Sequence, residues 1–263
     1  MSGADGGLHV EVYGSGPAVV LLHGSPSSPD DFAPLVDKLA RRRKVLVPHL
    51  PGYGRSASVP QPYSLDEVIT GVEERLLRDG VSRAAFLAFS GGAYKAVAIA
   101  LRGRITVPRM ILFAPVIGLD AATAQGYRDL VTAARAGAYD PRPSWLERMA
   151  SPGFSARDPE GAARVLAWLD AAPRAVIYDE LVAVADAPDL RPRLAELGCP
   201  ILVCAGQNDQ AVPARSSEQI AGLAKRGTFR SLAGAGHAVL IERPPEAFGL
   251  VETFLGEQDR DGV

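Results

Sequence analysis

The chain has 263 residues, of which 47% are hydrophobic and 22% charged, and its formal net charge is −2. That balance is ordinary for a globular protein and leaves no electrostatic footprint for nucleic acid or an acidic membrane. The polar start MSGADGG, and the lack of any apolar run near the roughly 18 residues a bilayer span needs, predict a cytoplasmic protein without leader or membrane segment.

The stretches LHVEVYG (8–14) and PAVVLLHG (17–24) flank a Gly-Ser-Gly-Pro turn and are expected to open the sheet as an antiparallel pair. SPDDFAPLVDKLA begins a helix, with Ser28 or Asp30 as its cap, and RRRK (41–44) reads as the solvated C-terminus of that helix. KVLVPHL (44–50) is a strand. Ser64 and Glu67 form a capping box that opens a helix over 64–80. AAFLAF (84–89) is the next strand, followed by a helix from Gly91 to Arg102 and the buried strand RMILFAPV (109–116).

From Leu119 to Leu197 the texture changes to Ala- and Arg-rich helical segments broken by DPRPS, SPGFSARDPEG and DAPDLRPR. Strands return in PILVCAG (200–206) and GTFRSLAG (227–234), with the helix PARSSEQIAGLA between them and a last helix from Pro245 to Leu255. Apolar β-branched runs alternating with amphipathic helices predict a mainly parallel α/β sheet covered on both faces. The expected core is 1–118 and 198–263, interrupted by a helical cap over 119–197. Cys199 and Cys204 would lie about 16 Å apart on a strand, beyond disulfide reach, and read as reduced core residues. No metal-ligand cluster or phosphate loop is present, so neither metal nor cofactor is expected.

LAFSGGAYKA (87–96) puts Ser90 at the junction of a strand and a helix, with Ala88 and Gly92 two positions to either side. On such a turn a hydroxyl stands clear of the backbone, small neighbours let the helix pack close to the strand, and the helix N-terminus favours developing negative charge. Ala88 stands where the pattern usually has glycine. A serine among glycines is also an ordinary turn residue, and its reactivity depends on a base held by an acid. Of the four histidines, His9 falls on the first strand, while His23 and His49 end strands. His237 follows the last strand in a glycine-rich loop, and Asp209 follows a buried strand. Ser90, Asp209 and His237 therefore all lie beyond strand C-termini, where open α/β sheets bind ligands, in the chain order Ser…Asp…His.

Over nearly its whole length the chain resembles the α/β-hydrolase fold superfamily, in its capped single-domain serine hydrolase group. The motifs that carry the resemblance are LLHGSPSS, PHLPGYGRS, AFSGGA, AGQNDQAVP and GAGHAVLIERP. It implies a mostly parallel sheet of about eight strands with helices on both faces and a helical cap inserted after strand 6. It also implies Ser90 as nucleophile, Asp209 as orienting acid and His237 as general base, with the backbone amides of Ser25 and Gly91 as oxyanion donors. Asp120 stands where some relatives carry their acid, but AGQNDQAVP favours Asp209. His49 replaces the aspartate usual at the start of its loop, either to hold that loop or to contact substrate.

Tyr94 shares a helical face with Ser90, as a packed side chain or a pocket donor, whereas Lys95 is expected to face solvent. Aromatics of the cap are expected mostly to seat it on the core, and Tyr94, Trp145 and Trp168 are the candidate pocket residues. The resulting expectation is a hydrolase of an ester, lactone or related acyl bond in a small to medium apolar molecule. A serine in this position argues against the aspartate-nucleophile chemistry of dehalogenases and epoxide hydrolases. Carbon–carbon bond hydrolysis or perhydrolysis with the same triad, and a non-catalytic ligand-binding member of the fold, are the alternatives. Substrate identity and oligomeric state are not legible.

Overall fold

The computed structural model describes residues 7–56 and 62–260. The polar start of the chain and the outer limits of the expected core lie outside the described residues. Seven strands form one sheet in the order β1-β3-β2-β4-β5-β6-β7: β1 (Val10–Tyr13), β2 (Ala18–Leu22), β3 (Lys44–Pro48), β4 (Ala85–Phe89), β5 (Met110–Phe113), β6 (Ile201–Gly206) and β7 (Gly227–Leu232). All pairings are parallel except β1 with β3. Each strand read from the sequence forms. The further strand implied by the family resemblance has no counterpart among the described residues, so the helical insertion follows the fifth strand rather than the sixth.

The opening antiparallel pair does not form as expected. β1 lies against β3, with Val10 opposite Pro48 and Tyr13 opposite Val45, and β2 lies between β3 and β4. Composition explains the exchange. β2 is buried along nearly its whole length and needs a parallel neighbour on each side, whereas VEVY exposes Val12 and Tyr13 and is suited to an edge.

Helices cover both faces. α1 (Ala33–Leu39) follows a short 3₁₀ turn whose N-cap is Ser28, and α2 (Leu65–Arg78) starts on Ser64, whose hydroxyl accepts from Glu67 N at 3.2 Å. Acidic residues in the first turn of α2 and Arg75 and Arg78 in the last suit the helix dipole. α3 (Gly92–Arg102) follows β4 directly. Between β5 and β6 run α4 (Ala121–Arg135), α5 (Arg142–Met149), α6 (Phe154–Arg157), α7 (Pro159–Ala167) and α8 (Arg174–Asp186), with no strand among them. α9 (Ala214–Leu223), α10 (Val239–Glu242) and α11 (Pro244–Arg260) complete the chain.

The core has two apolar layers, one on each side of the sheet. One joins α2, α3 and α8; the other joins α1, α11 and the Trp145, Met149, Phe154 and Trp168 side chains of the insert. The insert thus shares the core and also reaches back to the loop after β2, where Trp168 Nε1 donates to Asp31 at 2.7 Å. Cys199 and Cys204 are free, and burial pushes the Cys204 thiol up to about 12.

Two expectations about cations are corrected. Arg43, in the run RRRK, turns inward and donates to Leu255 O at 2.7 Å, because α11 covers the end of α1. Lys95 is fully buried rather than solvent-facing, because α8 of the insert covers that side of α3 and supplies Glu180, 2.6 Å from its ammonium.

Candidate active site

The site is assembled at the C-terminal ends of β4, β6 and β7. Ser90 follows β4 with φ +49°, a left-handed conformation that a non-glycine residue adopts only where its surroundings enforce it. Those surroundings are visible: Ser90 N donates to Phe113 O at 2.9 Å, and Ser90 O accepts from Ala93 N and Val116 N. α3 then leaves so close to β2 that a Cβ on Gly92 would fall 2.4 Å from Leu22 O, and one on Gly24 would fall 2.8 Å from Ser90 Cβ. The small side chains around Ser90 are therefore a packing requirement of the turn.

His237 Nε2 lies 3.1 Å from Ser90 Oγ, and His237 Nδ1 lies 2.9 Å from Asp209 Oδ2. Asp209 Oδ1 accepts from Ala211 N and Val212 N at 2.9 and 2.8 Å, which fixes the carboxylate. That carboxylate makes Nδ1 the protonated nitrogen and leaves Nε2 to accept from the serine hydroxyl. Phe89 packs against the imidazole with ring centroids 5.1 Å apart. The His237 loop is tied down on both sides, since Gly236 N donates to Glu242 Oε1 at 2.8 Å and Ala238 N donates to Met149 O at 2.7 Å. Glu242 also accepts from Ser151 N, so one buried carboxylate joins this loop to the insert.

The backbone amides of Ser25 and Gly91 are close neighbours, because a Cβ on Gly91 would stand 3.7 Å from Ser25 N. Neither amide donates to another group among the described residues. Ser25 lines the same cavity as Ser90 and His237. Its lining includes Trp145, Trp168 and Tyr127 as well as Met149, Ile177 and Val212. Two of the three residues proposed from the sequence for a pocket, Trp145 and Trp168, are therefore at this cavity. Tyr94 is not: its hydroxyl donates to Pro188 O at 3.1 Å, and it lines a separate crevice beside α2. It shares a helix face with Ser90 in spacing, but that face points across α3 to the end of α8.

Two of the remaining histidines, His23 and His49, hold loops. His23 Nδ1 donates to Gly24 O at 2.9 Å and its Nε2 accepts from Leu50 N at 3.1 Å, fixing the neutral form. Burial drives its pKa down to about 4. His49 Nδ1 accepts from Arg55 N at 3.0 Å, so its proton sits on Nε2, 3.6 Å from Glu11. His9, Glu11 and His49 are close enough together to suggest a metal site, yet that tautomer turns a proton, not a lone pair, toward the group. Asp120 caps α4 by accepting from Thr123 N at 2.8 Å and is solvent-exposed.

Spacing gave no hint of Asp31, Glu180 or Glu242, each a buried carboxylate at a junction between insert and core. A carboxylate within an ordinary helical stretch such as IYDEL looks the same whether it faces water or a buried lysine.

Comparison with known proteins agrees with this architecture. A model of the alpha/beta hydrolase family matches residues 19–249. The pimeloyl-[acyl-carrier protein] methyl ester esterase of Xanthomonas campestris pv. campestris is 30% identical over 260 residues, covering 94% of this chain and 98% of the relative. A hydrolase from Pseudomonas aeruginosa PA01 superposes with a TM-score of 0.85 at 28% identity, over 95% of this chain and 94% of that one. A thermophilic esterase from Thermogutta terrifontis does so with 0.87 at 22% identity, over 95% and 93%. The described helices include none long and apolar enough to cross a membrane. With a mostly parallel sheet, a strained serine turn after β4 and a family match over most of its length, the chain belongs to the alpha/beta hydrolase family and is a hydrolase.

Proposed function

We propose that the protein cleaves carboxylic esters through Ser90, His237 and Asp209. Ser90 Oγ attacks the ester carbonyl while His237 Nε2 takes its proton, and Asp209 holds the imidazolium that forms. The amides of Ser25 and Gly91 stabilise the oxyanion. His237 then returns the proton to the departing alkoxide, and water, deprotonated by the same nitrogen, releases the acid from Ser90. The observation that carries this reading is the continuous hydrogen-bond chain from Asp209 through His237 to Ser90, opening on an apolar cavity. The helices between β5 and β6 act as its cap. The cavity volume is about 90 Å³. Pockets that enclose drug-sized ligands span roughly 300–1,000 Å³, so the acyl group is slender or the cap opens to admit it.

A second reading concerns the remote part of the substrate. Arg142, Arg148 and Arg174 line the cavity and, among the described residues, no carboxylate does, although Arg142 also pairs with Asp170. This favours a substrate with negative charge away from the scissile bond. The test is turnover of p-nitrophenyl and methyl esters with neutral or carboxylate-ended acyl chains, beside Ser90→Ala. Turnover by the wild type alone supports the nucleophile, and a higher kcat/KM for the anionic chain supports the arginine reading. Turnover retained by Ser90→Ala removes the first, and equal preference removes the second.

A further inference from the structure

Beneath the candidate oxyanion hole lies a polar cluster, fully buried at Tyr53, Lys95 and Glu180 and reaching the cavity at Ser25, whose charges the proposed reaction does not use. Lys95 and Glu180 are both fully buried, with Lys95 Nζ 2.6 Å from Glu180 Oε1. Lys95 sits one turn after Gly91 and also reaches back to Gly91 O at 3.4 Å. The other carboxylate oxygen of Glu180 accepts from Ser25 Oγ and, at 3.1 Å, from Tyr53 Oη. Ser25 Oγ and Tyr53 Oη are themselves 2.7 Å apart. Burial alone would raise the Glu180 carboxyl, but the Lys95 charge and the hydrogen bonds from Lys95 and Ser25 hold it below its usual range.

A buried ion pair is poor evidence of stability, because desolvating the two charges offsets most of their attraction. Its connectivity suggests what it does instead. One end grips the residue that contributes one candidate oxyanion donor, and the other end grips the residue that contributes the second. We propose that Lys95 and Glu180 are positioning residues that hold the Gly91 and Ser25 amides in register, and that Glu180, carried on α8, makes this register depend on seating of the insert. The proposal rests on the ester-cleaving reading of the same site. An oxyanion donor works only at the place where charge develops, and losing one donor outright typically costs about 10²–10³ in rate. Loosening both is therefore a kinetic effect, with little consequence for binding the ground state.

The test compares wild type, the double variant K95M/E180Q and S25A. The double variant removes both charges at similar volume, a change that is often neutral or stabilising. S25A releases the oxyanion loop from Glu180 without touching the backbone amide. The probe is a short-chain alkyl fluorophosphonate: Ser90 Oγ bonds to phosphorus, the P–F bond breaks, fluoride leaves and His237 takes the proton, with the phosphonyl oxygen directed at the two amides. Labelling of Ser90 is expected to slow roughly 10- to 100-fold in both variants. Ester KM should stay within about twofold, since ground-state binding is not what is lost, and the double variant should melt close to the wild type. Labelling of both variants at the wild-type rate overturns the positioning role and leaves the ester reading standing. A wild type that the probe does not label overturns the Ser90 reading, and this proposal with it. Should the double variant not fold, S25A alone decides between the first two outcomes.

Discussion

Two buried polar clusters among the described residues, each drawn from distant parts of the chain, differ in how they end. Ser90, His237 and Asp209 keep 8%, 4% and 6% of their surface and open on a cavity, whereas Tyr53, Lys95 and Glu180 keep none. The first is a chain of hydrogen bonds that ends on a hydroxyl facing a place where another molecule fits. The second closes on itself, each charge met by another and each hydroxyl by an oxygen. An open chain passes a proton onward; a closed one fixes the groups around it. The prediction is that damage to the first cluster appears as lost chemistry and damage to the second as lost geometry or stability.

The largest effect separates the two most sharply. Ser90→Ala should lower kcat by about 10⁵-fold or more while leaving Tm nearly unchanged, because it removes the proposed nucleophile and only one oxygen. Asp209→Asn should lower it about 10⁴-fold, since the amide no longer selects the Nδ1-protonated tautomer that leaves Nε2 free for Ser90. Steady-state kinetics on the best ester of a panel, with thermal melts on the same samples, provides both numbers. A variant of this cluster that kept its rate and lost its fold would place it with the second.

Why one cluster was legible in the sequence and the other was not follows from the same contrast. Ser90, Asp209 and His237 each sit in a loop at a strand end, where glycines and small residues mark tight turns and a polar side chain is conspicuous. The strain at Ser90 and the crowding at Gly92 have a local signature, so residue types alone pointed to them. Lys95 and Glu180 lie inside regular helices, and AYK or IYDEL would read the same on a solvated face. What buries them is the docking of α8 against α2 and α3, a tertiary event that no helical period records. Tyr94 illustrates the same blind spot in reverse, placed on the serine's helix face by spacing and away from the cavity by packing. The sheet order was likewise only half legible: strand runs were plain, but the partner of β1 depended on which strand could occupy the edge.

The next effect tests the closed cluster as a unit. Glu180→Gln leaves Lys95 charged, buried and without its carboxylate, and should lose roughly 3–5 kcal/mol in denaturant unfolding at pH 7. Adding Lys95→Met should recover most of that loss. Two single losses that simply summed in the double variant would mean the residues do not act together, and the contrast between a closed and an open cluster would fail.

The smallest effect uses acid, and concerns His23, which borders the closed cluster with its ring 4.8 Å from that of Tyr53. Burial holds its folded pKa near 4, against about 6.5 for an unfolded histidine. Between those values the unfolded chain binds a proton that the folded chain refuses, so stability falls as pH drops through this window. Above it both forms are neutral, and below it both are charged, so the loss is confined there. A shift of this size corresponds to at most about 3 kcal/mol. Carboxylates add acid sensitivity of their own, so the informative quantity is the difference between wild type and His23→Asn, whose side chain retains one donor and one acceptor for Gly24 O and Leu50 N. Unfolding free energies measured at half-unit steps from pH 7 to 4 should converge as the pH falls, with the variant less stable at pH 7. Parallel curves would mean that His23 takes up its proton without disturbing the fold, and that this side of the closed cluster is not sealed.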